Sequence, residues 1–363
     1  MLIDKINDNP EKKKLINKID TFDSIYCYGF NNSTIELLNH FSIKGIIDDF
    51  GSINNYLNIP IFLSNDKEID KNSLIISCSL SMYPKSTIVK LRSNNFKNIV
   101  SVLDISKYSN INLEIPFMSN AKKDLELNID YYEKVYSKLK EFKSKQVFKD
   151  IVNFRNNFDL SYMKDYKVDE MGQYFEDFLD LQEGEVFVDA GGFDGQTSIQ
   201  FIKHCPKYKS IYIFEPDSDN LDLAKNNLVN FKNVNFISKG LSNQKDTLRF
   251  DTGSGSASSI SENGSIEIEV DTLDNLVKEK VSFIKMDIEG AEGLAIEGMK
   301  NHILNDHPKM AISVYHKVDD FWKIPEQIFA IRDDYNIYMR HYTEGTDETI
   351  MFFIPNKLQL KIN

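Results

Sequence analysis

The sequence predicts an α/β protein in which two units of strands and helices are joined by a helical linker. The chain has 363 residues, more than one average domain, and 41% of them are hydrophobic, which is enough for two separate cores. Short apolar runs alternate with helical patterns in the first hundred residues and again after about residue 168. We therefore expect domains over residues 1–120 and 168–363, with a helical linker over residues 121–167.

The first domain is predicted to be a small Rossmann-like unit. Apolar strands are expected at residues 25–28, 43–47, 74–76 and 99–102, with a proline-started helix at residues 84–92. The unit resembles the nucleotide- or sugar-nucleotide-binding domains that precede some sugar-modifying enzymes. Its first turn keeps Gly29 but lacks the later glycines through which a backbone approaches a pyrophosphate. The pattern favours a degenerate, structural or substrate-presenting role over nucleotide binding.

The linker is predicted to form one or two amphipathic helices. Between Ile129 and Phe158, apolar residues recur at intervals of three and four among many lysines and glutamates. An apolar stripe of this kind is expected to bridge the two domains or to form the interface of a homodimer.

The third part of the chain is predicted to contain a helix over residues 171–179, followed by seven strands. These strands are expected near Val186, Ile211, Val234, Phe283, Ala311, Ile337 and Ile350. The connection over residues 340–348 is too short for a helical crossover, so the last strand should run antiparallel to its neighbour. The glycine- and serine-rich segment 253–259 is expected to be either a lid over a substrate or a hairpin tip without function.

A glycine-rich turn after the first of these strands predicts a cofactor site. The apolar run 186–188 leads into a turn that needs glycine wherever the backbone takes a positive φ or passes close to a ligand. The next strand ends at Glu215, roughly the twenty-residue offset at which a carboxylate meets a ribose in such folds. The predicted cofactor-binding residues are Asp189, Gly191, Gly192, Asp194, Gly195 and Glu215.

Four motifs in order resemble those of the FkbM-type, class I S-adenosyl-L-methionine (SAM) methyltransferases. After the loop at 189–195 come the motifs at residues 214–217, 270–274, 284–292 and 348–352, so the resemblance covers about 169–355. It implies a seven-stranded, mostly parallel class I methyltransferase sheet with one antiparallel strand, and SAM as the cofactor. It also implies O-methylation of a hydroxyl on a sugar, a glycan precursor or a similar small polar metabolite.

Polar residues at the ends of the later strands are the predicted catalytic residues, namely Asp287, Glu289 and His316. In one scheme His316 removes a hydroxyl proton while Asp287 holds the imidazole. In the other, Asp287, His316 and His341 bind a divalent metal, as carboxylates do in catechol-type methyltransferases. The alternatives to a methyltransferase are an NAD-dependent Rossmann oxidoreductase and a non-catalytic sugar-nucleotide-binding or assembly protein.

Composition limits the partners of the protein. A formal net charge of -12 disfavours nucleic acid, and the acceptor is expected to be a small molecule or a glycan. The chain has no apolar run of roughly eighteen residues, so no membrane span is expected. Three isolated cysteines suit reduced thiols and a cytoplasmic location.

Overall fold

The structure is a computed structural model that describes residues 2–5, 8–51, 55–115, 117–251, 259–260 and 266–356. Its chain forms two compact units. The first unit comprises Met1–Leu127, Gln146–Val168 and Tyr342–Asp347, and the second comprises Asn128–Lys145, Asp169–His341 and Glu348–Asn363. The predicted linker is therefore divided between the units, and the short segment 342–347 belongs to the first.

The first unit is built on a six-stranded sheet in the order β3-β4-β2-β1-β5-β6. All neighbouring strands are parallel except β3 and β4. The predicted strands are present, and two short strands, β3 and β4, are added. The strands are β1 (Ile25–Tyr28), β2 (Ile43–Ile47), β3 (Asn55–Tyr56), β4 (Ile59–Phe62), β5 (Leu74–Ser77) and β6 (Asn98–Ser101). The helices are α1 (Pro10–Ile16), α2 (Asn32–Leu37), α3 (Pro84–Ser93) and α4 (Val102–Tyr108).

Two helices lie between the sheets in the chain, as the apolar pattern predicts. They are α5 (Ala121–Lys138) and α6 (Phe142–Asn157). Helix α5 is interrupted at Asn128, where the backbone is not helical (φ -121°), and the boundary between the two units falls at the same residue. In the part of the chain that the structure describes, no helix is long and apolar enough to cross a membrane.

The second unit contains a seven-stranded sheet in the order β16-β17-β15-β14-β7-β8-β9. Strand β17 is antiparallel to both of its neighbours and the other pairs are parallel, so the predicted fold class is confirmed. The strands are β7 (Val186–Ala190), β8 (Ser210–Phe214), β9 (Val234–Ile237), β14 (Phe283–Met286), β15 (Lys309–Ser313), β16 (Tyr335–His341) and β17 (Thr349–Pro355). The helices are α7 (Gln196–His204), α8 (Ser218–Asn227), α9 (Leu273–Leu276), α10 (Glu292–Gly298) and α11 (Asp320–Ile331).

A second, four-stranded sheet precedes β14 in the chain. Its order is β10-β13-β11-β12, and its strands are β10 (Gly240–Leu241), β11 (Asp246–Asp251), β12 (Ser259–Ile260) and β13 (Ile266–Asp271). The long pair β11 and β13 is antiparallel. Residues 253–258 of the predicted lid or hairpin tip lie outside the described residues.

The predicted helix over residues 171–179 is wrong. The segment forms turns and one short 3-10 helix at Asp177–Leu179, and Tyr174 has a left-handed backbone (φ 70°) that no α-helix contains. Tyr174, Phe175 and Leu179 are nevertheless buried. The three- and four-residue spacing therefore records which side chains enter the core and does not record a helical backbone.

Candidate active site

The turn after β7 passes so close to the end of β14 that one position must be glycine. Gly191 has φ +75°, and a Cβ atom there would lie 1.8 Å from the carbonyl oxygen of Asp287. Both features follow from the parallel pairing of the strands, in which Ala190 lies opposite Met286. The sheet therefore brings the glycine loop and Asp287 together.

A buried ion pair fixes this loop to the sheet. The Asp189 side chain is fully buried and accepts a hydrogen bond from the Ser198 hydroxyl at 2.7 Å. The Lys285 ammonium lies 3.3 Å from the other Asp189 oxygen and donates to the carbonyl of Gly191 at 2.6 Å. Burial lowers the pKa of Lys285, but Asp189 and Asp287 outweigh it, so its pKa lies above the usual value and the ammonium keeps its charge. Lys285 thus has a structural role in shaping the loop.

Glu215 follows β8 and is oriented by the backbone. One carboxylate oxygen accepts from the Phe193 N–H at 2.9 Å, and the other accepts from the Asp217 N–H at 3.0 Å. Burial raises the pKa of this carboxyl, although the two hydrogen bonds act in the opposite direction. Each oxygen has a second lone pair that can accept a hydrogen bond from a ligand.

His316, which follows β15, is surrounded by three carboxylates. Its Nε2 lies 3.3 Å from Asp287 and 3.4 Å from Glu289, and its Nδ1 lies 2.9 Å from Glu292. Burial alone would lower the pKa of His316, but Glu292, Asp287 and Glu289 together raise it to about 10. The imidazole therefore carries a proton at neutral pH in the absence of a ligand.

Asp287 is also held by a residue from the segment that was predicted to be helical. The Tyr174 hydroxyl donates to Asp287 Oδ2 at 2.7 Å. Burial raises the pKa of Asp287, but His316, Lys285 and the bond from Tyr174 outweigh it, and the net pKa lies below the usual value. Asp287 is therefore an ionised acceptor at the end of β14.

Several of these groups line a cavity of about 240 Å³, although His316 is not among its lining residues. Of the predicted site residues, Gly191, Glu215, Asp287 and Glu289 line it. The ionisable side chains of its wall are four carboxylates and a single ammonium, namely Glu215, Asp287, Glu289, Glu348 and Lys285. The wall therefore carries a net negative charge and suits a cationic ligand.

Comparison with known proteins identifies the family of the part of the chain that forms this site. Residues 189–351, which include the loop, Glu215 and the carboxylates around His316, match the family model described as the methyltransferase FkbM domain. The chain contains an FkbM methyltransferase domain. It is therefore a SAM-dependent methyltransferase, as the sequence motifs predict.

One of the solved structures that match this chain shares its fold over almost the whole length. Methyltransferase FkbM from Methylobacillus flagellatus is 20% identical and has a TM-score of 0.73, and the match covers 95% of this chain and 93% of that one. An rRNA methylase from Streptococcus thermophilus is 18% identical over 49% of this chain and 92% of that one, with a TM-score of 0.34. Aeropyrum pernix fibrillarin, solved with SAM, is 13% identical over 48% of this chain and 67% of that one, with a TM-score of 0.33. No curated protein matches the sequence.

The FkbM domain has the features that SAM requires at this cavity. Gly191 lines the cavity because its backbone packs directly against the end of β14, and Glu215 can accept hydrogen bonds from ribose hydroxyls. The carboxylates complement the positive sulfonium and ammonium groups of the cofactor, whereas the pyrophosphate of NAD would meet charges of its own sign. When bound, SAM supplies the electrophilic methyl group.

Other predicted cofactor residues of the FkbM domain do not line the cavity. Asp189 pairs with Lys285, and Asp194 accepts a hydrogen bond from the Gln196 N–H at the start of α7. A Cβ at Gly195 would lie 2.8 Å from Leu228, and one at Gly192 would lie 2.3 Å from Ile213. These four residues shape the loop in the structure, and direct contact with the cofactor remains a prediction for them.

His341 does not lie in the same cluster as His316. Its Nδ1 lies 2.9 Å from the Thr349 hydroxyl, at the point where β16 and β17 pair. Among the described residues, the cluster with the spacing of metal ligands is Asp287, Glu289 and His316, whose ligand atoms all lie within 4.8 Å of one another. The structure thus groups Glu289, in place of His341, with the two other metal candidates.

Gln173, Tyr174 and Glu348 are among the residues of the cavity wall that the sequence-based prediction of the site missed. Gln173 and Tyr174 precede β7, and Glu348 precedes β17. Gln173 Nε2 donates to one Glu348 oxygen, and the Tyr315 hydroxyl lies 3.5 Å from the other. Both Tyr174 and Glu348 have left-handed backbones (φ 70° and 62°), an uncommon conformation for residues with side chains. Sequence spacing gives no signal for such contacts.

Replacing Glu215 with Ala is expected to weaken SAM binding by about 2–4 kcal/mol, because charged hydrogen bonds in a desolvated site are lost. Isothermal calorimetry on the full chain measures the change. Asp219→Ala is a suitable control, since Asp219 is an exposed acid in the first turn of α8. Equal affinities for wild type and for a folded Glu215→Ala variant would contradict the proposed contact with ribose.

Proposed function

We propose that this FkbM enzyme methylates a hydroxyl oxygen on a sugar, a glycan precursor or a similar small polar metabolite. The supporting observation is the composition of the cavity wall, where Asp287, Glu289 and Glu348 lie together with Gln173. Ionised carboxylates only accept hydrogen bonds, so they favour a ligand that donates several, as a polyol does. The same charges disfavour acceptors that carry phosphates, including nucleic acid.

Transfer of a methyl group to a hydroxyl also requires removal of its proton. His316 lies beside Asp287 and Glu289, which line the cavity, but in the ligand-free protein it already holds a proton. It can act as a base only after that proton leaves. Both as a base and as a metal ligand, His316 must first lose this proton, and a cation that binds beside it would displace the proton.

A divalent cation is the activator that we favour. Asp287, Glu289 and His316 offer two carboxylate oxygens and one imidazole nitrogen within 4.8 Å of one another. Three carboxylates, including Glu292, face this single imidazole, so a bound cation would balance their charge. Carboxylate ligands suit Mn²⁺, and an imidazole among them favours a transition-metal ion over Mg²⁺. When bound, such an ion lowers the pKa of a coordinated hydroxyl.

Mn²⁺ should bind to chelator-treated protein, and Glu289→Gln should weaken that binding at least about tenfold, by analogy with the loss of one ligand. Paramagnetic resonance of free Mn²⁺ measures binding without any acceptor. The control is Glu183→Gln, because the Glu183 side chain is 72% exposed. If the protein binds no Mn²⁺ and chelators leave turnover unchanged, the cation is excluded and His316 remains as the base.

The acceptor class is tested by incubating the protein with isotope-labelled SAM and a panel of neutral saccharides and polyols, followed by mass spectrometry of the products. An O-methylated sugar is the expected product, and Asp287→Asn should lower its rate by about 10²–10⁴-fold. Labelling confined to nitrogen atoms or to nucleic acid would contradict the proposal. Binding of NAD in place of SAM would support the oxidoreductase alternative.

A homodimer and a cytoplasmic location belong to the same proposal. The support for the homodimer is exposed apolar surface on the linker helices, such as the Phe142 side chain on α6, which is 81% exposed. A sedimentation measurement on the full chain tests this part.

A further inference from the structure

The first unit has a cavity of its own, with a volume of about 810 Å³. It lies where the parallel strands β1, β2 and β5 end, and Gly29, Asp48 and Cys78, the residues that follow these strands, all line it. After β1 the chain adds β2 on one side of β1, and it later crosses back to add β5 on the other side. The order of the strands therefore reverses at β1. Ligands of open α/β sheets bind at such a reversal point.

Backbone N–H groups at the starts of α2 and α3 could bind a phosphate, but side chains of the protein itself already accept hydrogen bonds from them. At the start of α3, both Glu344 oxygens are engaged by Ser86, one by its N–H and one by its hydroxyl, each at 2.7 Å. At the start of α2, the Asn31 side chain accepts from the Thr34 N–H at 3.2 Å. Asp347, a further acid, lines the cavity. A nucleoside diphosphate would therefore meet negative charge where it needs hydrogen-bond donors.

The remaining lining combines aromatic rings with small polar groups. Phe50 is 90% exposed and Tyr83 is 49% exposed, an arrangement that leaves their rings available to a ligand. The cation of the lining, Lys90, is already paired with Asp49 at 2.7 Å. The polar members are amides, hydroxyls and two carboxylates, namely Asn31, Asn32, Ser33, Asp48, Ser79, Ser81, Ser86, Thr87, Thr346 and Asp347.

We propose that this cavity binds a neutral carbohydrate. A sugar ring presents C–H groups that pack on aromatic rings and hydroxyls that donate to carboxylates and amide oxygens, and the lining supplies both. The saccharide bound here belongs to the same chemical class as the proposed acceptor of the FkbM domain. This link to the methyl acceptor rests on the proposed function, whereas the binding itself does not.

The test is retention of the full-length protein, without SAM, on an array of neutral mono- and oligosaccharides. Wild type should be retained on a subset of the saccharides. Phe50→Ala and Asp48→Asn should each reduce retention at least about tenfold, in the range of one lost stacking or charged contact. Both changes keep the local fold, because Phe50 is exposed and Asn can still accept the two backbone bonds that Asp48 accepts from Phe50 and Gly51.

The control is Phe231→Ala, which removes a partly exposed ring that does not line this cavity and should leave retention unchanged. Retention of no saccharide, or an equal loss in the Phe50 and Phe231 variants, would overturn the inference. Displacement of the saccharide by UDP or GDP would overturn it in favour of a nucleotide. Saccharide retention without any methyl transfer would leave the cavity assignment intact and contradict the proposed function alone.

Discussion

Gly191→Ala is expected to abolish measurable SAM binding and to lower the free energy of unfolding by about 3 kcal/mol or more. The left-handed backbone at φ +75° costs a residue with a Cβ about 1–2 kcal/mol, and forcing extra atoms into packed structure costs about 1–3 kcal/mol more. The added Cβ would collide with the carbonyl oxygen of Asp287, so either the loop or the end of β14 must move. Urea unfolding and calorimetry with SAM measure the two effects.

Gly184→Ala separates the cost of the left-handed backbone from the cost of the steric collision. Gly184 also has a left-handed backbone (φ +85°), but a Cβ there would have nothing within 4 Å. This variant should therefore lose only about 1–2 kcal/mol of stability and should bind SAM like wild type. If Gly191→Ala behaves no worse than Gly184→Ala, the close approach of the loop to Asp287 does not matter for the cofactor site.

Lys285→Met is expected to destabilise the protein by about 3–5 kcal/mol, since it leaves the fully buried carboxylate of Asp189 without its partner. The loss should be visible as a lower urea midpoint with an unchanged slope. Lys207→Met is the control, because Lys207 is 70% exposed in its ion pair with Glu183 and such pairs contribute about 0–1 kcal/mol.

A double variant distinguishes the charge from the packing of Lys285. Asp189→Asn removes the buried charge, so Asp189→Asn combined with Lys285→Met should be more stable than Lys285→Met alone. A double variant that is less stable than Lys285→Met would indicate that Lys285 acts chiefly through its bond to the Gly191 carbonyl.

The seven strands of the second unit were predictable because each is a short apolar run between loop residues. Val186, Val188 and Phe283, for example, are fully or almost fully buried. Strands β3 and β4 escaped prediction because β3 has only two residues and the apolar run of β4 is interrupted by Pro60, which argues against a strand. The pattern of apolar residues predicts which strands are buried, but it says much less about which edge strands pair.

The residues of the candidate site could also be predicted only in part from the sequence. Asp287, Glu289 and His316 could be predicted because each follows an apolar strand. The hydrogen bond between Tyr174 and Asp287 joins residues 113 positions apart, and no spacing rule predicts it. Lys285 was visible as an odd charge within a strand, but its partner Asp189 became clear only from the strand pairing. Side-chain contacts between segments that are distant in the sequence can therefore be identified only from a three-dimensional structure.

Membership of residues 342–347 in the first unit has a consequence for biosynthesis. Within that unit, Glu344 engages the start of α3, and Thr346 bonds through its backbone to Leu80. A ribosome makes this segment only after β16, long after it has made the six strands of the first sheet. During synthesis, the contacts that these residues make with the first unit can therefore form only after six of the seven strands of the methyltransferase sheet have been translated.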